Sequence, residues 1–197
     1  VRPVSPCGLV VPPRRVIGCR EMALHEIVLE ETKPETEWVR GRALRKVSPT
    51  YRHGLVQRRL VTALGAWADA GAHGRVATEW RFRVTPRGEI TRPLVPDVAY
   101  LSFAALAADA PDEDVEIPQV APSVAFEVLS PGDRMRDVHD KIRAYIAAGS
   151  LAVILLDPGS KSATVHDATE TRELRVPATL SLAALPGFAV ELADLFA

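Results

Sequence analysis

The chain has 197 residues, 47% of them hydrophobic, with 24 Lys and Arg against 25 Asp and Glu. That length and apolar content supply one sizeable core. The net charge of −1 excludes a global positive field of the kind that draws nucleic acid or an anionic membrane, so any such site must be local.

Residues 1–20 are rich in Pro and Gly without periodicity, and are expected to be a disordered or non-native extension with Met22 as the start, because they cannot bury enough apolar area to offset their ordering entropy. Residues 21–197 then form a single domain. Cys7 and Cys19 match neither a disulfide framework nor a zinc site, which points to a reducing cytoplasm. No apolar run approaches the roughly 20 residues of a spanning helix.

Glu37 to Val47 reads as two short strands around Gly41. Ser48-Pro49 resembles an N-cap and first helical residue, and Gly71 a stop. Between them His53, Val56, Leu60, Leu64 and Trp67 recur at helical spacing, forming one stripe. Val76 to Val84 alternates as one strand, and Pro86 to Glu89 is a turn. Another strand starts after Pro96, Ala104 to Asp114 reads as a loop, and Ser123 to Ser130 is an apolar strand broken by Glu127. Asp137 to Ala148 is a helix closed by Gly149, Leu151 to Leu156 a buried strand, and Ser162 to His166 its hairpin partner.

Charge is uneven. Arg40, Arg42, Arg45, Lys46, Arg52, Arg58 and Arg59 form a basic run with no acid, while Asp109 to Glu116 is acidic. The run is either a local DNA-binding face or a solvated surface.

Three charged residues are not explained by packing. Asp97 opens an apolar strand and Glu127 interrupts another, and a buried carboxylate costs several kcal/mol unless a cation or hydrogen bonds compensate. A metal ion would compensate. Lys141 shares a helix with Val138, Ile142 and Tyr145 at steps of three and four, at the edge of the sheet-facing stripe. The alternative for Lys141 is a surface pair with Asp137. Two carboxylates and a lysine at one sheet edge are the minimum for metal-dependent phosphodiester hydrolysis: hard oxygens suit Mg²⁺, with Mn²⁺ as a substitute, and the ammonium orients a water.

The order Glu37-Trp38-Val39-Arg40-Gly41, Ser48-Pro49 with His53, Val95-Pro96-Asp97-Val98-Ala99-Tyr100, Glu127-Val128-Leu129-Ser130-Pro131, Asp137 with Lys141 and Tyr145, Leu155-Leu156-Asp157-Pro158 and Leu185-Pro186-Gly187-Phe188 resembles the Uma-type restriction endonuclease family of the PD-(D/E)XK nuclease superfamily. The resemblance spans Glu37 to Phe196. It implies a restriction-endonuclease-like α/β core, a mixed sheet flanked by helices. Asp97, Glu127 and the backbone carbonyl of Val128 would be metal ligands, and Asp97, Glu127 and Lys141 the catalytic set. The superfamily's E-x-K lysine would fall at Leu129, so Lys141 on the following helix is its match. Arg40 and Thr36 depart from the family pattern, where an acid and a tyrosine are usual. Glu79 and His53 match further polar positions. The alternatives are a surface partner of Arg81 or Arg83 for Glu79, and a core histidine satisfied by a backbone carbonyl for His53.

The function so implied is a Mg²⁺-dependent endonuclease that hydrolyses DNA through metal-activated water, with Arg52, Arg58 and Arg59 contacting DNA. A homodimer would cut both strands, and no membrane or organic cofactor is involved. The competing reading is a catalytically weak nucleic-acid-binding or regulatory module on the same fold. Replacing Lys141 by Ala is expected to leave fold and metal binding intact.

Overall fold

The structure, a computed structural model, describes residues 36–39, 42–45 and 49–197. The expected extension 1–20, the Met22 start, Arg40, Gly41 and the segment 46–48 lie outside the described residues.

β1 (Thr36–Val39) and β2 (Arg42–Arg45) pair antiparallel as the expected hairpin. The helix α1 (Tyr51–Gly71) begins two residues later than Ser48-Pro49 suggested. Thr50 is the cap, its hydroxyl accepting the backbone N–H of His53, which leaves Pro49 outside the helix. The inner stripe of α1 is His53, Val56, Leu60, Leu64 and Ala68. Trp67 sits half-buried at its edge, stacked on His73. Fully burying a residue such as Leu60 or Leu64 contributes roughly 1.5–3 kcal/mol.

The single strand expected over Val76 to Val84 is instead two. β3 (Gly74–Thr78) belongs to the main sheet, and β4 (Phe82–Val84) pairs only with β5 (Arg92–Leu94). The break is at Glu79, whose φ of 52° is left-handed, so the chain leaves the sheet there and carries Phe82 and Val84 to the opposite face. At its start, β3 lies so close to β6 (Val98–Ser102) that a Cβ on Gly74 would meet the Leu101 carbonyl oxygen at 2.3 Å. The acidic segment expected as loop contains the short helix α2 (Asp112–Glu116).

β7 (Val124–Val128), α3 (Met135–Ala147) and β8 (Ala152–Asp157) form a β-α-β unit with its two strands parallel. Gly149, at φ 108°, closes the turn after α3. β9 (Ser162–Asp167) returns antiparallel to β8 as expected. Beyond it lie β10 (Thr171–Arg175), the pair β11 (Thr179–Ser181) and β12 (Ala189–Glu191), and α4 (Leu192–Phe196), none of which the periodicity indicated.

The main sheet has six strands in the order β10-β9-β8-β7-β6-β3, antiparallel except for β7 and β8. It is a mixed sheet flanked by helices, as expected. Alternation along its strands sorts the core into two layers. Val98, Tyr100, Val124, Phe126 and Val128 pack under α1 with α4 and the β11–β12 pair. Ala99, Leu101, Ala125, Val153 and Leu155 pack under α3 with the β4–β5 hairpin. Both faces are covered, which is why β7 and β8 read as continuous apolar runs. Among the described residues, no helix is long and apolar enough to cross a membrane.

Candidate functional site

The site forms where β6 begins and β7 ends. Those strands pair with Val98 opposite Phe126, and continuing that register by one residue sets Asp97 beside Glu127. Pro96 precedes Asp97 and removes a ladder donor. The N–H of Leu129 donates to Leu156 on β8 at 2.8 Å, so the N–H of Val128, one residue earlier, points to the other neighbour. The β6–β7 ladder ends at Val98 and Phe126, and beyond it the Asp97 side chain supplies the acceptor: its Oδ2 accepts the Val128 N–H at 2.7 Å. The N–H and C=O of one strand residue face the same neighbour, so the Val128 carbonyl is aimed at this edge as well.

Glu127 shares the parity of Ala125 and therefore the α3 face. Lys141 reaches it from α3, its Nζ donating to Glu127 Oε2 at 2.7 Å, with both side chains 10% exposed. The surface pair with Asp137 is not what forms. Asp137 instead accepts from Arg42 of β2 at 2.5 Å, which fastens the N-terminal hairpin to α3.

His53 approaches Asp97 from α1. His53 Nε2 lies 3.5 Å from Asp97 Oδ1, and His53 Nδ1 is 3.0 Å from Ser130 Oγ. The ring nitrogens of this buried histidine thus face a carboxylate and a hydroxyl, where the core-histidine alternative supposes a backbone carbonyl. One helical turn on, Gln57 Nε2 donates to Asp97 O and to Glu79 Oε1, each at 2.8 Å. The Glu79 N–H also reaches Asp97 O at 3.3 Å.

The structure therefore brings Asp97, Glu127, Val128, Lys141 and His53 together, with Glu79 joined through Gln57. Sequence reasoning missed Gln57 and Ser130 as members of this network. Gln57 carried a usable signal, a polar residue four positions after His53 at the border of the apolar stripe. Ser130 stood in the motif Glu127-Val128-Leu129-Ser130-Pro131 without a role of its own, because that role depends on His53, 77 residues away in sequence.

The basic run is divided. Arg42 is engaged by Asp137, and Arg59 donates to the carbonyls of Leu195 and Ala197, pinning α4 to α1. Arg58 is exposed, but six residues from Arg52 places it about 120° around the helix. Among the described residues of the run, Arg52 lines the cleft beside the site. That cleft has a volume of about 380 Å³ and is walled by Thr50, Arg52, Leu129, Ser130, Asp133 and Asp157 among others. Asp133 caps the Ser130 N–H at 2.7 Å. Burial raises the Asp157 carboxyl, but hydrogen bonds from the Ser160 hydroxyl and the Gly159 and Ser160 backbone, with the charge of Arg175, outweigh this and leave it below its usual range.

Among the described residues, no group of three or more His, Cys, Asp or Glu side chains is arranged to hold a metal. The donor set here is two carboxylates and a backbone carbonyl. Such a set fits Mg²⁺, which keeps several waters and takes one or two carboxylates plus substrate phosphate rather than an all-protein cage.

Comparison with known proteins gives a family and a fold. A family profile named Uma2 and described as "Putative restriction endonuclease" matches residues 21–193. The crystal structure of a putative nuclease belonging to DUF820 from Anabaena variabilis ATCC 29413 superposes with a TM-score of 0.72. It shares 22% identity, over 85% of this chain and 93% of that one. No curated protein matches.

Proposed function

The chain belongs to the Uma2 family, and from that premise we propose that it is a divalent-metal-dependent endonuclease acting on DNA phosphodiester bonds. The observation that carries this reading is the convergence of two buried carboxylates from adjacent strands, one of them paired with a buried lysine, at a sheet end that opens beside a cleft.

Asp97, Glu127 and the Val128 carbonyl would hold Mg²⁺ or Mn²⁺. When bound, such an ion polarises the scissile phosphate and lowers the pKa of a coordinated water. The chain's own residues do the rest. Lys141 offsets the charge of Glu127 and presents an ammonium group that orients a water for in-line attack. Asp97 is held by the Val128 N–H on one oxygen and faced by His53 on the other, so its carboxylate is fixed before substrate arrives. His53 and Gln57 act as positioning residues through Asp97. Arg52, on the cleft wall, contacts a substrate phosphate, which Arg suits by its planar fork of donors.

The test is cleavage of supercoiled and linear DNA with and without Mg²⁺ or Mn²⁺. Metal-stimulated nicking or cutting is expected, together with a fall of at least about 100-fold for Asp97→Asn, which keeps an acceptor for the Val128 N–H and removes the charge. Wild-type protein that binds DNA without metal-stimulated cleavage, or an Asp97→Asn variant at wild-type rate, overturns the nuclease reading; the first result favours a binding module on the same fold.

A further inference from the structure

The cleft beside the site does not end at its own walls. A second hollow of about 290 Å³ adjoins it, and the two share Arg52, Pro158 and Gly159. Tyr51, the first residue of α1, lines the second hollow and is 82% exposed, the most open large hydrophobic side chain among the described residues. Met135, 44% exposed, lines the first. Lys161 also lines the second hollow and is exposed. The first turn of α1 contains no acid, so the positive end of the helix dipole is uncompensated there. Among the described residues no carboxylate pairs with Arg52 or Lys161. Both acids of the first cleft are already turned inward, Asp133 to the Ser130 N–H and Asp157 to Gly159 and Ser160.

Resting on the nuclease reading, we propose that these joined hollows are a track for single-stranded DNA. Tyr51 is its base-stacking platform, and Arg52 and Lys161 are its phosphate contacts. A duplex offers a protein its backbone and groove edges while its base faces are stacked on one another. An aromatic ring this open has a π-face to offer only to unpaired bases. Cations interleaved with open apolar side chains are the pattern that binds single strands without sequence preference. The track leads to Ser130, and through it to His53 and Asp97. The strand that reaches the carboxylates is thus unpaired or splayed on this side.

The test is fluorescence anisotropy with a labelled 20-nucleotide single strand of mixed sequence and the corresponding duplex, in Ca²⁺ so that binding is read without turnover. Wild type is expected to bind the single strand more tightly than the duplex. Tyr51→Ala is expected to weaken single-strand binding about fivefold or more while Tyr51→Phe stays within about twofold, and duplex binding moves by less than about twofold in either variant. Tyr51 is solvent-exposed, and an unchanged thermal midpoint checks that the variants are folded. The track is overturned by Tyr51→Ala binding like wild type, by equal losses on single strand and duplex, or by wild type that does not bind the single strand. Binding and cleavage fail separately. Tyr51-dependent binding without cleavage removes the nuclease reading and leaves the track. Metal-stimulated cleavage with Tyr51-independent binding removes the track alone.

Discussion

At the end of β6 and β7 the two buried carboxylates of the site are compensated in opposite ways. Glu127 meets a full countercharge in Lys141 of α3, in a pair that is largely buried. Asp97 meets a backbone N–H, a histidine of α1 and, through that histidine, a serine on the cleft wall. The first arrangement depends on one strong partner, whereas the second spreads its stabilisation over several weaker ones and leads to solvent. That difference makes the α3 side the structural pivot of the site and the α1 side its adjustable entrance.

The largest expected effect breaks the α3 side. Removing one member of a buried pair leaves an uncompensated charge, so Lys141→Ala should lose about 3–5 kcal/mol of stability, in contrast to the intact fold that the sequence reading expects. Glu127→Gln combined with Lys141→Met should recover most of that loss. Urea denaturation measures both. A loss under about 1 kcal/mol for Lys141→Ala would mean that the pair behaves as a solvated one.

A smaller effect is expected under α1. His53→Ala should cost about 1–2 kcal/mol, because two modest hydrogen-bonding partners are lost and neither is left as an isolated charge in the way Glu127 would be. Ser130→Ala should cost about 0.5–1.5 kcal/mol. The two should be non-additive, since they share one contact, and a double-mutant cycle measures that coupling. Additive losses would show that the chain from Ser130 to Asp97 does not act as a unit. Gln57→Ala should lie at the lower end of the same range, and should alter cleavage more than stability if it fixes Asp97 as proposed.

The smallest effect is a pH dependence on the α3 face away from the site. His166 stands opposite Val153 on β8, with its Nε2 buried and without a hydrogen-bond partner. Burial first, and the charge of His139 second, hold this histidine below its usual value of 6.5. The unfolded chain therefore takes up the proton first. His166 leaves stability undiminished above pH 6.5, and stability declines as pH falls below that value until the folded pKa is passed. His166→Gln should flatten that part of the curve of denaturation midpoint against pH. An unchanged slope would assign the acid sensitivity elsewhere.

Much of the architecture was legible because the physics that sets it is local. The stripe on α1 and the apolar runs of β7 and β8 are periodic signals, and Gly149 is a chain-reversal signal. The break at Glu79 was not legible, because nothing at a glutamate announces a left-handed φ and the alternation runs on through it. β10 was missed because an edge strand with every second residue exposed lacks the apolar run that identifies a central one. β11 and β12 are only three residues each, too short for a period to show.

For the site, the sequence by itself determined which residues required a partner. A carboxylate inside Val124-Ala125-Phe126-Glu127-Val128 must be compensated wherever the strand is buried, and the same holds for Asp97. It could not determine the partner. Asp137 is four residues from Lys141, and Glu127 is fourteen, so local spacing favoured the wrong pair. The tertiary structure decided it by laying α3 over the end of β7 and bringing Arg42, 95 residues from Asp137, to occupy that acid. Glu127 is buried and Asp137 stands nearer the surface, so the lysine gains more by neutralising the charge that water cannot reach.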